Sequence, residues 1–257
     1  VITAIGSDLN RISGSAVRRL TRYALRKAAA TVTVSRDLLR TARSLGAPQA
    51  SSVAILNGCD TTKFRPRDRI SARETLDIPL KQEIILYVGR LDLRKGLVEL
   101  IEAVSALRQK RPNVHCYIVG EGADRTLLNE CVARCNIHSH VTFVPSCGTE
   151  RVATWIAASD LLTLPSYKEG CPNVILEALC SGRPVVATNV GGIPELMDQA
   201  SGRLIDPKNV EQLTVALDEV LAAQWDAGAL SDKHHRSWQD VADDLNVVLR
   251  DAAALHP

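Results

Sequence analysis

Three things are scarce in this 257-residue sequence, and each scarcity removes a class of function. Aromatic residues make up only 4%, which argues against a nucleic-acid reader built on base-stacking platforms. Net charge is nearly balanced at +2, so the surface as a whole is not shaped for a polyanion. No apolar run approaches the roughly 18 residues of a membrane span. The seven cysteines show no paired framework of the small secreted kind, and a chain of this size needs no staples to fold. A reducing cytoplasm is the simpler setting. The opening Val1-Ile2-Thr3-Ala4-Ile5 has neither an initiating Met nor a charged n-region and reads as the cut edge of a longer chain.

Apolar residues reach 46% and charged residues 23%, enough to bury a sizeable core. Short apolar runs recur, each followed by a turn and then by a stretch of helical periodicity. Strands are expected at 84–88, 115–119, 141–144, 161–164 and 185–187, with helices at 97–108, 125–135, 149–158, 173–180 and 210–222. Alternation of this kind means an α/β fold with a doubly wound parallel sheet, because parallel strands need crossover connections that cover both faces. Upstream, strands near 1–5, 31–34 and 53–56 and a helix over 14–30 look like part of a second α/β domain. The expected organisation is a remnant of one Rossmann-like domain over 1–66, a ligand-binding domain over 67–223, and a polar link over 224–237 leading to a helix over 238–254.

In doubly wound sheets ligands bind beyond the carboxyl ends of the strands. Gly89-Arg90 follows one such strand and Lys95-Gly96 precedes a helix, placing two cations where a diphosphate would lie. Taken alone, both also read as solvated surface charges. Glu169-Gly170-Cys171-Pro172-Asn173 with Glu177 is the most informative stretch. Pro172 suits a helix start, so Glu169 falls on the loop ahead and Glu177 about a turn inside. Carboxylates accept from vicinal sugar hydroxyls, although Glu177 also reads as a plain surface acid near a helix start. Gly120-Glu121-Gly122 and Gly191-Gly192-Ile193-Pro194-Glu195 follow two further strands as backbone nests, which a tight strand-to-helix turn alone also explains.

These pieces, with Ser181-Gly182-Arg183-Pro184-Val185, stand in the order found in family 4 retaining glycosyltransferases of GT-B fold. The resemblance extends upstream through Gly6-Ser7-Asp8, Val34-Ser35 and Asn57-Gly58-Cys59-Asp60 to Phe64-Arg65-Pro66 and covers nearly the whole chain. It implies that Arg90 and Lys95 neutralise the diphosphate of a nucleotide-sugar donor, and that Glu177 holds the ribose hydroxyls. It further implies that Glu169, with the backbone running from Gly170 and Cys171 through Pro172 to Asn173 and Val174, binds the hexose and phosphate. Gly89, Gly120 and Gly122 would line the donor site. No cofactor and no metal are implied, and transfer would retain anomeric configuration. The acceptor would be a sugar or a lipid-linked sugar; Gly6-Ser7-Asp8-Leu9-Asn10 resembles teichuronic-acid-type polysaccharide transferases. A full member would carry about a hundred further residues upstream, by the usual size of such domains.

Two patterns compete for other roles. Cys131, Cys135, His138 and His140 fit no familiar zinc spacing and read as packing cysteines with surface histidines. On the helix over 15–30, Arg18, Arg19, Arg22 and Arg26 share one face, opposite Val17, Leu20, Ala24 and Ala28. That basic amphipathic helix is read first as a solvated surface helix, and second as a contact with a membrane surface. The rival functions are a non-catalytic nucleotide-sugar-binding module and a nucleotide-sugar epimerase. A dehydrogenase is disfavoured because Gly89 opens no G-x-G-x-x-G run.

Overall fold

A computed structural model describes residues 1–6, 9 and 14–254; Ser7, Asp8 and Asn10, quoted above for the resemblance, lie outside the described residues. Strands β1 (Ile2–Ala4), β2 (Thr31–Thr33) and β3 (Ser52–Ala54) form a three-stranded parallel sheet in that order. A six-stranded sheet follows, built from β4 (Glu83–Val88), β5 (Val114–Val119), β6 (Val141–Val144), β7 (Leu161–Leu164), β8 (Val185–Thr188) and β9 (Gly202–Ile205). Its order is β6-β5-β4-β7-β8-β9, parallel throughout. The residues of β5, β7 and β8 are buried at every position. Continuous apolar runs of this kind belong to strands covered on both faces.

Strand order reverses beside β4. The chain runs outward from β4 to β5 and β6, then crosses to the other side of β4 for β7, β8 and β9. Loops leaving β4 and β7 therefore diverge, and a crevice opens at their carboxyl ends.

Ten helices link or flank the strands among the described residues: α1 (Ser15–Lys27), α2 (Arg36–Ser44), α3 (Arg69–Thr75), α4 (Leu97–Leu107), α5 (Arg125–Arg134), α6 (Thr149–Ala158), α7 (Asn173–Cys180), α8 (Val210–Ala222), α9 (Ala227–His234) and α10 (Trp238–Ala254). Side-chain caps fix several starts: Ser35 accepts from Leu38 N, Asp68 from Ser71 N, and Asn209 from Gln212 N. Helix α7 stops at Gly182, whose φ of 70° is left-handed, with Gly182 N bonded to Leu179 O and Arg183 N to Ala178 O.

Two expectations are corrected. Residues 224–237 are not a bare link, because α9 forms there. Asp226 caps it by accepting from Ala229 N at 3.0 Å, and Ser231 Oγ donates to Cys180 O at 2.7 Å, docking the helix on the end of α7. With only Leu230 and Ser231 buried, α9 shows little periodicity in the sequence. Helix α1 is amphipathic as expected, but its apolar stripe does not face the core. Leu25 is its sole buried residue, Arg26 lies against Gly46, and Val17, Leu20 and Tyr23 are 51%, 69% and 65% exposed.

The chain passes between the two sheets twice, at one place. Cys59 N donates to Arg236 O at 2.8 Å and pairs in parallel with Ser237. A Cβ at Gly58 would stand 2.4 Å from Ser237 O, so only glycine fits the crossing. Beyond it α10 returns to the first sheet, where Trp238, Val241 and Leu245 face Val32, Val34 and Ile55 across an apolar cavity of about 550 Å³.

Candidate donor-binding cleft

The crevice between the β4 and β7 loops holds a cleft of about 620 Å³, within the usual range for a small-molecule site. Tyr87, Val88, Gly89, Arg90, Asp92, Arg94 and Lys95 wall it on one side; Leu164, Lys168, Glu169, Gly170, Pro172 and Val174 wall it on the other. Ile5 and Gly6, at the end of β1, close the third side. The structure thus brings together seven of the residues singled out by sequence: Gly89, Arg90, Lys95, Glu169, Gly170, Pro172 and Val174.

Backbone contact holds the two walls at a fixed distance. Gly96 has φ 68° and a Cβ there would stand 2.0 Å from Pro165 O, so the β4 and β7 loops touch where any side chain would separate them. Across that contact Lys95 Nζ donates to Glu169 Oε1 at 2.6 Å. On the β4 side the buried Tyr87 donates from its hydroxyl to Arg90 O at 2.9 Å. Burial, with the charges of Glu169 and Asp92 nearby, pushes the phenol well above its usual range, so it stays a donor. The Arg90 side chain is exposed and makes no hydrogen bond or ion pair with a described residue.

The charge of the cleft is positive: Arg90, Arg94, Lys95 and Lys168 against Asp92 and Glu169. Asp92 is already engaged, accepting from Arg94 Nε at 2.8 Å and pairing with its second guanidinium nitrogen. That bond holds the Asp92 carboxyl below the ordinary range. At the head of α7, no side chain caps the helix and no acid sits in the first turn. Its orphan N–H groups and positive dipole end therefore remain unneutralised beside Pro172 and Val174. Cations, free amides and a helix terminus on one rim are what an anionic group such as a diphosphate requires.

Five candidates stand apart from the wall. Gly120 lines a smaller cavity of about 250 Å³ with Glu121, Ser146 and Cys147, contiguous with the cleft through Val88, Gly89 and Arg90. Gly122 lines neither; a Cβ there would lie 2.1 Å from Leu91 O, so its glycine serves packing. Cys171 and Asn173 line the apolar cavity under α10, and Asn173 accepts from Asn57 Nδ2 at 2.7 Å. Glu177 does not line the cleft, but three residues beyond Val174 it shares that helix face, one turn deeper. It is half-buried, no described residue bonds its carboxylate, and burial pushes its pKa up to about 7. Sequence reasoning also passed over Arg94 and Lys168, each adjacent to a chosen residue, and over Ile5, which sits on the other sheet and has no local signal.

The Gly191-to-Glu195 turn differs from the expected nest. It presses on the β7 loop, with Cβ positions at Gly191 and Gly192 each 2.0 Å from the carbonyl oxygens of Glu169 and Gly170.

Residues 68–251 match the glycosyl transferases group 1 family. The chain belongs to this family. It is 31% identical over 263 residues to the teichuronic acid biosynthesis glycosyltransferase TuaC of Bacillus subtilis, covering 94% of this chain and 64% of that protein. It is 31% identical over 216 residues to the D-inositol 3-phosphate glycosyltransferase of Rhodococcus opacus, covering 79% of this chain and 48% of that one. The chain therefore spans about half to two thirds of these relatives. Its fold is similar to that of Anabaena Alr3699/HepE, solved in complex with UDP-glucose, with a TM-score of 0.78 and 21% identity over 95% of this chain and 72% of that one. The α/β architecture with parallel sheets is accordingly of GT-B type.

Proposed function

We propose that this chain binds a nucleotide diphosphate sugar as part of a family 4 retaining glycosyltransferase that moves a hexose to an acceptor hydroxyl. The observation that carries the reading is the meeting of Arg90, Lys95 and Glu169 on facing loops across the β4–β7 reversal. There two cations and the bare head of α7 stabilise a departing diphosphate, while Glu169 accepts from hexose hydroxyls. Lys95 lies between the two roles, bonded to Glu169 and facing the phosphate. Glu177, unpaired and one turn deeper on the Val174 face, accepts from the ribose hydroxyls. UDP-glucose in HepE supports a uridine donor, and TuaC supports an acceptor from cell-surface polysaccharide synthesis, reached at the cytoplasmic face of a membrane through α1.

In this reading no metal is called on, because Arg90, Lys95 and the α7 terminus serve to neutralise the diphosphate. Retention follows, in this reading, from attack on the face the diphosphate leaves, with the leaving phosphate taking the acceptor's proton.

Calorimetric titration with UDP, GDP, their glucose and mannose esters, and the free nucleosides tests this. Arg90→Ala and Lys95→Ala are each expected to weaken diphosphate binding about tenfold to a hundredfold, given 1.5–3 kcal/mol for a bond to a charged group. The loss for the free nucleoside is expected to be much smaller, and a chelator is expected to leave binding unchanged. Equal losses for diphosphate and nucleoside, or a strict need for divalent metal, overturn the assignment. Interconversion of the sugar without acceptor points instead to an epimerase, and binding without turnover by a chain supplied with acceptor points to a binding module.

A further inference from the structure

Glu195 closes the turn after β8, away from the cleft, yet its carboxylate has a long-range task. Oε2 accepts from Arg36 N at 2.9 Å and Oε1 accepts from Asp37 N at 3.2 Å. Those are the first two amides of α2, a nine-residue helix of the first sheet's unit, whose next free amide, Leu38 N, is taken by Ser35 Oγ at 3.2 Å. One carboxylate of the donor-binding unit thus caps a helix of the other unit, and does so with both oxygens.

Between these two units lies the Glu169–Gly170 loop. On one side the carbonyl oxygens of Glu169 and Gly170 are pressed by Gly191 and Gly192. On the other, a Cβ at Gly170 would stand 3.1 Å from Ile5 O, 3.3 Å from Gly6 Cα and 3.4 Å from Leu38 Cδ1. A Cβ at Gly192 would also meet the Cβ of Ser35 at 2.7 Å. The loop is a leaf held between a two-glycine turn and the ends of β1 and α2. Glu195 is the bond that draws those two surfaces together, because it starts three residues after Gly192 and ends one residue after Ser35.

We propose that Glu195 is a positioning residue that, by clasping the head of α2, holds the Glu169–Gly170 loop between the two units and so sets the sugar end of the donor site. The inference rests on the donor reading above for its ligand, and on the Glu195 hydrogen bonds and the glycine contacts for the clasp. It separates the two ends of the cleft. Arg90 stands on the β4 loop, which the clasp does not touch, whereas Glu169 stands on the loop it compresses. Loss of the clasp therefore falls more heavily on hexose recognition than on the diphosphate, which Arg90 on the β4 loop still meets.

The test compares the wild-type chain with Glu195→Gln and Glu195→Ala in two measurements. In titrations with UDP and UDP-glucose, and with GDP and GDP-mannose, the affinity ratio of sugar ester to diphosphate is expected to fall about tenfold in Glu195→Ala, tenfold being 1.4 kcal/mol. Glu195→Gln, which keeps one acceptor oxygen, is expected to fall between. Affinity for the diphosphate itself is expected to fall less than affinity for the sugar ester in both variants, on the same scale. A ratio unchanged overturns the proposal, and so does an equal loss for both ligands, which marks a merely structural residue. Hydrogen exchange on the unliganded chain needs no donor: exchange is expected to quicken at residues 169–171 as well as at 36 and 37. Quickening confined to 36 and 37 overturns the positional claim. If the wild type binds none of the four ligands the donor reading fails, and the exchange measurement still decides the clasp.

Discussion

Glu177 presents the sharpest conflict between residue and setting. It is a carboxylate with no bonded partner, half-buried at the second turn of α7, and its pKa rises from 4.5 to about 7 because burial penalises the charge. The folded chain then holds that proton to higher pH than the unfolded chain. The stability linked to it is fully present below pH 4.5 and is lost as pH rises through 4.5 to 7. Glu177→Gln abolishes the conflict, so the variant is expected to be more stable than wild type above pH 7 by on the order of 3 kcal/mol. The gain should vanish by about pH 4, below the ordinary value of 4.5 for this carboxyl. Urea unfolding at the two pH values checks this; the same difference at both would mean that ionisation is not its cause. A carboxylate left without a partner in the fold is one that a ligand's hydroxyls can satisfy.

At the scale of elements, the sequence declared the large sheet plainly. Strands β4, β5, β7 and β8 are mostly apolar, with Glu83, His115, Thr163 and Thr188 as the exceptions, and α4, α5, α6, α7 and α8 fall within a residue of where periodicity sets them. Elements that bury little left no such trace: α9 buries two residues, α3 is seven residues long, and β9 is only partly buried. Helix α1 was legible as a helix but not in its orientation, because a sequence shows that a stripe is apolar and not which neighbour receives it. The site was legible where its residues are local, at Arg90, Lys95 and Glu169. Gly122 misled because close backbone packing and ligand binding call for the same residue. The contact at Gly96 gives an element-level prediction. Gly96→Ala meets both a left-handed φ and the Pro165 carbonyl, and is expected to cost about 2–4 kcal/mol in denaturant unfolding while weakening nucleotide-sugar binding. A stability change under 0.5 kcal/mol, the scale of a neutral surface substitution, would show that the loops separate freely.

At the scale of the whole molecule, positive charge and exposed apolar surface coincide on α1. Helix α1 carries Arg18, Arg19, Arg22 and Arg26 and also exposes Val17, Leu20 and Tyr23, the combination that binds an interface where acidic headgroups meet hydrocarbon. Sedimentation with vesicles is therefore expected to pull the chain down with phosphatidylglycerol and not with phosphatidylcholine. Replacing Arg18, Arg19 and Arg22 by Glu is expected to abolish this at about 0.15 M salt. Co-sedimentation with neither lipid, or with both alike, rejects α1 as a membrane contact.

The paired crossing at Cys59 and Ser237 has a mechanical consequence. Two units joined by a single linker swivel in every direction, whereas two joined by adjacent strands bonded to each other move like a door on its pins. The line through Cys59 and Ser237 fixes one axis, with the Asn57–Asn173 bond close beside it, and the bonds from Glu195 to α2 fasten the two units elsewhere. Any opening of the cleft is then a swing of the β7 loop away from the end of β1, with the crossing itself unmoved.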